Sequence, residues 1–494
     1  MGARDRMLQR WMDVRLAVGL ALVLGVTPAL AASKQASIDK LAAQYHAFQQ
    51  FNGTVLVMDE KGLVLKKAYG LADFEWRVPA TPDTKFRIAS VTKQFTSMVI
   101  MQMVADGSVG LEDTLGKLLP DYRQDTGSRV TLTHLLNHTS GIPNFTSHPD
   151  FGKVSRQPIP SVEFIPRFAS GDLEFEPGTK YAYSNSGYYL LGAIIERVAG
   201  KPYAQVVQER IFDPVGMKNS GYDVSATVLP KRASGYVATL DGLRNAPYID
   251  MGLPFAAGGL YSTVEDLALW SRALQGDTLL PPALKQRMFT PGLQGYAFGW
   301  EVQPVKLDDG KTEVALQSHR GGVEGFSTLI SRSAETKQAV IILSNVRGSN
   351  VQGLASGIWS LLHGVKPHAP RRSIAEAVMA ALAKGTVTEA VATYRTLTAQ
   401  KPDEYRRNPG ELNRLGYHLM KEGRLADAIE IFKLNVEMYP TDGNVHDSLG
   451  EAYLAQGDKR LAAESYRRSL EFDPKNADAV RILKELEPPS AKSP

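Results

Sequence analysis

The run Ser90-Val91-Thr92-Lys93 puts a hydroxyl and an amine three residues apart. At a helix start this spacing brings both groups to one face, about 5–6 Å apart, so that a nucleophile stands beside a base. Lysine can take the serine proton only as the neutral amine, a form favoured by burial, a neighbouring cation or the positive end of a helix. The same helix start aims backbone N–H groups at an oxyanion forming on an attacked carbonyl. These residue types therefore point to acyl transfer, with Ser90 as nucleophile and Lys93 as base. The spacing occurs a second time, as Ser37-Ile38-Asp39-Lys40, in a polar stretch that is expected to be mobile and offers nothing to bury the lysine. Ser90 instead follows Phe86-Arg87-Ile88-Ala89 and opens onto Gln94–Ala105, an apolar run closed by Asp106-Gly107. That run predicts a buried helix stopped by a C-terminal glycine.

Other chemistries are weaker in the sequence. His134 and His138 stand four apart, a spacing that can place two metal ligands on one helix face, but position 135 is Leu where a zinc-hydrolase motif needs Glu. No metal and no cofactor is expected. The chain has no cysteine, which removes thiolate ligands, disulfides and a Cys nucleophile. It also lacks a Gly-x-Ser-x-Gly elbow, the mark of an α/β-hydrolase. Two further elements follow Ser90 in order: Tyr183-Ser184-Asn185, and then His319-Arg320-Gly321, where a glycine-rich turn through Gly321-Gly322 is predicted to follow a strand.

These three elements have around them Leu135-Leu136-Asn137-His138-Thr139-Ser140-Gly141-Ile142, Glu176-Pro177-Gly178 and Gly258-Gly259-Leu260. Together the text resembles the serine β-lactamase and penicillin-binding superfamily, closest to its class C-like branch, over about residues 40–362. The resemblance implies an α+β fold, in which an antiparallel sheet is flanked by helices and a helical lobe, with the site between them. It also implies that the Tyr183 phenol passes a proton toward the leaving group and that Asn185 holds a substrate amide. The backbone N–H groups of Ser90 and Gly322 would form the oxyanion hole. His319, Arg320 and Gly321 would line the substrate side. Many β-lactamases carry Lys where this chain has His319, and a histidine gives a weaker fixed charge at pH 7. If His319 lines the cleft, preference for carboxylate-bearing substrates should rise as pH falls; if it does not, Arg320 or another residue holds any carboxylate.

The positioning elements are legible on either side of these motifs. Thr54–Met58 and Leu63–Leu65 read as a hairpin, and Thr312–Leu316 and Gln338–Leu343 as late strands expected to share its sheet. Length calls for more than one domain, since 494 residues exceed what one core usually supports. Composition shifts at residues 363–373, a linker rich in breakers and charge. Beyond it, Leu415, Gly416, Gly423, Ala428, Phe432 and Pro440 recur 34 residues later as Leu449, Gly450, Gly457, Ala462, Tyr466 and Pro474. Gly385, Ala390, Tyr394 and Pro402 form a partial earlier copy. This period resembles the tetratricopeptide repeat, an all-α architecture expected over 374–488, with a short disordered tail at 489–494. Such repeats either recruit a protein partner or dock on the first domain.

Arg4, Arg6, Arg10 and Arg15 precede the apolar run Leu16–Ala31, which ends in small residues. That pattern predicts a signal peptide over 1–31 and export to the periplasm or beyond, leaving a hydrolase domain over 32–362. Losing four Arg and two Asp with it lowers the formal net charge from +4 to +2. No basic run or later apolar span points to nucleic acid or to a stable membrane span. The expected substrate is a small-molecule or peptide acyl compound: a D-amino-acid peptide, a β-lactam or a small ester. The competing reading is a non-catalytic ligand-sensing scaffold, which has no need of a base beside a hydroxyl.

Overall fold

The computed structural model describes residues 33–486; the signal peptide and tail expectations lie outside the described residues. The chain divides into two compact units. One comprises the described residues up to Ala238 together with Arg244–Ala369; the other comprises Thr239–Leu243 and the described residues from Pro370 on.

The first unit is built on a six-stranded antiparallel sheet. Its strands are β1 (Gly53–Asp59), β2 (Gly62–Tyr69), β3 (Glu301–Lys306), β4 (Glu313–Val323), β5 (Phe326–Arg332) and β6 (Ala339–Ser344). Their order is β3-β4-β5-β6-β1-β2, so β1 pairs with both the hairpin partner β2 and the late strand β6. Both faces are apolar, as expected of strands covered on two sides. Val55, Val57, Val340 and Ile342 pack on one face, under the helices α1 (residues 33–47) and α5 (Val351–Leu362). The alternate residues Leu56, Met58, Ile341 and Leu343 belong to the core on the other face, which also takes in the helical lobe: α2 (Thr92–Ala105), α3 (Asn185–Ala199) and α4 (Val264–Ala273).

Two expectations are corrected here. Ser37 and Lys40 are not in a mobile stretch but on α1, both exposed, because Ile38, Leu41, Ala42 and Tyr45 give that segment an apolar helical stripe. Gly321 and Gly322 do not form a turn; they continue β4, and the chain reverses at Glu324-Gly325. Glycine is needed at 321 because a Cβ there would fall 2.3 Å from the Ile88 carbonyl oxygen, a close backbone approach that any side chain would block.

The second unit is a stack of helix pairs: α6 (Ile374–Leu382) with α7 (Val387–Gln400), α8 (Pro409–Lys421) with α9 (Leu425–Met438), and α10 (Gly443–Gln456) with α11 (Lys459–Phe472). A last helix, α12 (Ala477–Leu486), follows. The partial copy seen in the sequence is thus a full helix pair. Glycine and aromatic at matching positions interlock: a Cβ at Gly416 would fall 2.4 Å from the Phe432 ring, and one at Gly450 would fall 3.2 Å from the Tyr466 ring. Among the described residues no helix is long and apolar enough to cross a membrane.

Candidate active site

Ser90 sits in a single 3-10 turn, Ala89–Val91, that leads directly into α2. Ala89 has a left-handed backbone, φ 49°, a conformation a non-glycine residue keeps only where its surroundings enforce it. Here they do. The Ile88 N–H donates to the Leu260 carbonyl at 2.9 Å, and the Ile88 carbonyl accepts from Thr328 Oγ1 on β5 at 2.9 Å. The approach at Gly321 closes the third side. The turn that presents Ser90 is therefore set by three separated segments.

Lys93 is completely buried, on a helix whose residues from Thr92 to Met101 are all buried. Burial pushes its pKa well below the usual lysine range, because no neighbouring anion offsets the lost hydration. Nζ lies 3.2 Å from Ser90 Oγ and donates to Asn185 Oδ1 and to the Ala257 carbonyl, each at 2.8 Å. A neutral amine has two N–H donors and one lone pair. With both donors directed to the two carbonyl oxygens, the lone pair is left facing Ser90. Asn185 opens α3, and its own orientation is set by Asn144, whose Oδ1 accepts from Asn185 N at 3.1 Å and from Nδ2 at 3.2 Å.

Tyr183 completes the cluster. Burial raises its phenol pKa far above the ordinary value, only partly countered by a hydrogen bond with Ser90, so it is a protonated phenol at any working pH. Lys93 Nζ lies 4.9 Å from the centre of its ring. His138 grips the tyrosine from behind: its carbonyl accepts from Ala182 N–H at 2.9 Å, its Nδ1 accepts from Ser184 N–H at 3.1 Å, and the two rings lie 4.2 Å apart. His138 itself has φ 60°. Its ring is kept neutral by burial. His134, the other histidine of the pair, accepts the Thr131 N–H at 3.2 Å in a capping box.

Ser90, Tyr183, Asn185 and Gly322 all line one cavity of about 630 Å³, whose apolar wall includes Phe145, Phe151 and Ile249. The structure thus brings together Ser90, Lys93, Tyr183, Asn185 and Gly322. It does not bring the rest of the third element to the cavity wall. Residues 319, 321 and 323 point to the buried face of β4, as its alternating burial shows. His319 is 2% exposed, with Nδ1 2.7 Å from the Arg320 carbonyl and Nε2 2.9 Å from the Tyr296 hydroxyl. A carbonyl can only accept, so Nδ1 carries the proton and Tyr296 donates to Nε2. Burial lowers the His319 pKa to about 3, with Lys93 adding to the effect. The expectation that its charge varies across the cleft between pH 6 and 8 is therefore corrected. Gly321 packs on Ile88, and Arg320 is exposed outside the cavity lining; burial raises the Glu301 carboxyl pKa, and the Arg320 charge lowers it in part. Sequence reasoning missed the Ala257 carbonyl, Asn144 and the role of His138. A backbone carbonyl has no sequence signature, and the two side chains lie in a loop about forty residues before the element they support.

Comparison with known proteins fits this geometry. A family model described as Beta-lactamase matches residues 38–362, and two tetratricopeptide repeat models match 376–443 and 444–476. Penicillin-binding protein 4* of Bacillus subtilis (strain 168) is 29% identical over 327 residues, covering 60% of this chain and 68% of its own. The D-aminopeptidase of Gluconobacter oxydans (strain 621H) is 25% identical over 355 residues, covering 70% of this chain and 65% of its own. Among solved structures, the D-amino acid amidase of Ochrobactrum anthropi SV3 superposes with a TM-score of 0.59 at 25% identity, over 67% of this chain and 99% of the other.

Proposed function

Since the chain belongs to the β-lactamase family, we propose that it is an exported serine hydrolase that works through an acyl-enzyme on Ser90, with D-amino-acid peptides or amides, β-lactams or small esters as substrates. The observation that carries this is the Lys93 amine, buried without an anion and directed by two carbonyl acceptors so that its lone pair faces Ser90 Oγ. Ser90 gives its proton to Lys93 as Oγ attacks the substrate carbonyl. The N–H groups of Ser90 and Gly322 hold the oxyanion, and Asn185 Nδ2 keeps a second N–H for a substrate amide. Tyr183, bonded to Ser90 and held as a phenol, hands a proton to the leaving group while the proton taken up by Lys93 passes to the tyrosine oxygen, so that the phenol and the neutral amine are both restored. Water then attacks the acyl ester along the same proton path in reverse. Names among the relatives support this range of acyl substrates, and the character of residues 1–31 supports export. Helical repeats support a protein partner for the second unit.

A penicillin or boronate probe tests the assignment. Peptide mapping should find the covalent adduct on Ser90 and leave Ser37 unmodified, and Ser90→Ala should remove both label and turnover. Adduct on Ser37, or undiminished labelling of Ser90→Ala, would end this reading.

A further inference from the structure

We infer that Asp241, His418 and Glu422 form a binding site for a divalent transition ion of the zinc type, which clips the turn at 239–243 to helix α8. The site is independent of the acyl-enzyme reading above, and it departs from the expectation of no metal. All three residues belong to the second unit, which takes in Thr239–Leu243 as well as the repeat helices.

His418 and Glu422 lie one helical turn apart at the end of α8, where the Glu422 N–H donates to the His418 carbonyl at 3.1 Å, so their side chains share a face. Asp241 comes from a different part of the chain, on the turn between the short strands Tyr236–Thr239 and Gly242–Asn245. Packing seats that turn, since Leu240 beside it is partly buried against the core of the repeats. The His418 side chain is 14% exposed, which holds its ring in one place, and Nε2 lies 3.0 Å from Asp241 Oδ1. One donor atom from each of the three residues lies within 4.8 Å of the other two. Ligands bonded to a tetrahedral zinc at about 2.1 Å stand about 3.4 Å from one another. The remaining closure is within reach of side-chain rotation at Asp241 and Glu422, both of which are exposed.

A histidine beside an aspartate needs no ion: His368 and Asp308 stand 3.5 Å apart, and no third donor joins them. Glu422 makes the difference. Its carboxylate makes no hydrogen bond or ion pair among the described residues, yet it stands beside a second carboxylate and an imidazole. Two like charges this close repel, and a dication facing both removes the repulsion. The imidazole selects the ion, because calcium and magnesium take oxygen ligands, whereas a mixed nitrogen and oxygen set suits zinc. Three protein ligands leave a fourth position for water. On binding, Nε2 exchanges its contact with Asp241 for the ion, and the ring proton sits on Nδ1. The ion would close a chain loop between residues 177 positions apart, and a clip across so long a loop removes much freedom from the unfolded chain. The same separation hides the site from the sequence.

The test uses the full chain, stripped with EDTA and free of any purification tag, titrated with Zn²⁺ alone by calorimetry. One Zn²⁺ should bind per chain, and the unfolding midpoint should rise with Zn²⁺ concentration. His418→Ala and Glu422→Gln should each weaken binding by at least about 10- to 100-fold, the loss that even an outer-shell partner of a metal brings. Glu422→Gln removes no hydrogen bond of the helix, so it reads the ion without endangering the fold. His368→Ala should bind as the parent does. No saturable binding up to about 1 mM Zn²⁺, or an affinity unmoved in both His418→Ala and Glu422→Gln, would overturn the site. Binding lost in His368→Ala would overturn it equally, by placing the ion elsewhere.

Discussion

The Lys93 cluster and the repeat helices place charge in opposite ways. Lys93 is wholly buried, with neutral oxygen acceptors and no carboxylate beside it. In the repeats, charges meet in exposed pairs one helical turn apart, such as Arg460 with Glu464 and Arg481 with Glu485. Exposed pairs of this kind contribute about 0.3–0.5 kcal/mol because water screens them and ordering long side chains costs entropy. A buried amine without a counter-ion instead loses hydration that nothing replaces, so its proton affinity falls. One region places its charges in exposed pairs along the helices, while the other leaves a buried amine without a counter-charge and so lowers its proton affinity. Each region has its own apolar core.

The sharpest way to break this contrast is Lys93→Met, which keeps the volume and removes the amine. It should lower kcat by about 10³- to 10⁴-fold, the upper range for loss of a positioned general base. The melting temperature should hold or rise, since a buried polar group has been replaced by an apolar one. A variant that unfolds would mean that the amine's hydrogen bonds are structural rather than preparatory. In the repeats the converse holds. Phe432→Ala removes the ring packed on Gly416 and should cost about 3–5 kcal/mol of stability in denaturant unfolding, while hydrolysis of a small ester stays at the parent rate, because every site residue belongs to the other unit.

A smaller effect comes from His319. Its folded pKa of about 3 lies below the unfolded value near 6.5. Between those values the unfolded chain binds a proton that the folded chain refuses. Stability should therefore be independent of this group above about pH 6.5 and fall as pH drops, by about 1.4 kcal/mol per pH unit. Unfolding of His319→Gln, measured from pH 7 to pH 4, should show a shallower acid slope than the parent; equal slopes would mean that the ring can be protonated in place. The smallest change is expected for Arg460→Ala, which should alter stability by no more than about 0.5 kcal/mol and leave activity untouched. A larger loss would mean that the exposed pairs carry more than local support.

What the sequence determined by itself is what short-range geometry encodes. Ser90 and Lys93 share a helix start, Tyr183 and Asn185 lie two apart, and the repeats return every 34 residues, so each pattern is complete within its own segment. The paired strands were legible for the same reason, from runs of apolar residues between turns. Tertiary structure decided the rest, because it depends on what lies opposite. Side chains on a strand alternate faces, but only the packing partner decides which face is buried. Against the core, β4 turns His319 and Gly321 inward and leaves Gly322 at the cavity. A motif read as a substrate wall thus became mostly a buried support. Lys93 has its altered proton affinity from the fold that closes around it, and its two acceptors come from residues 92 and 164 positions away. Proton affinity and charge placement are properties of the surroundings of a group, and those surroundings exist only once distant segments have packed.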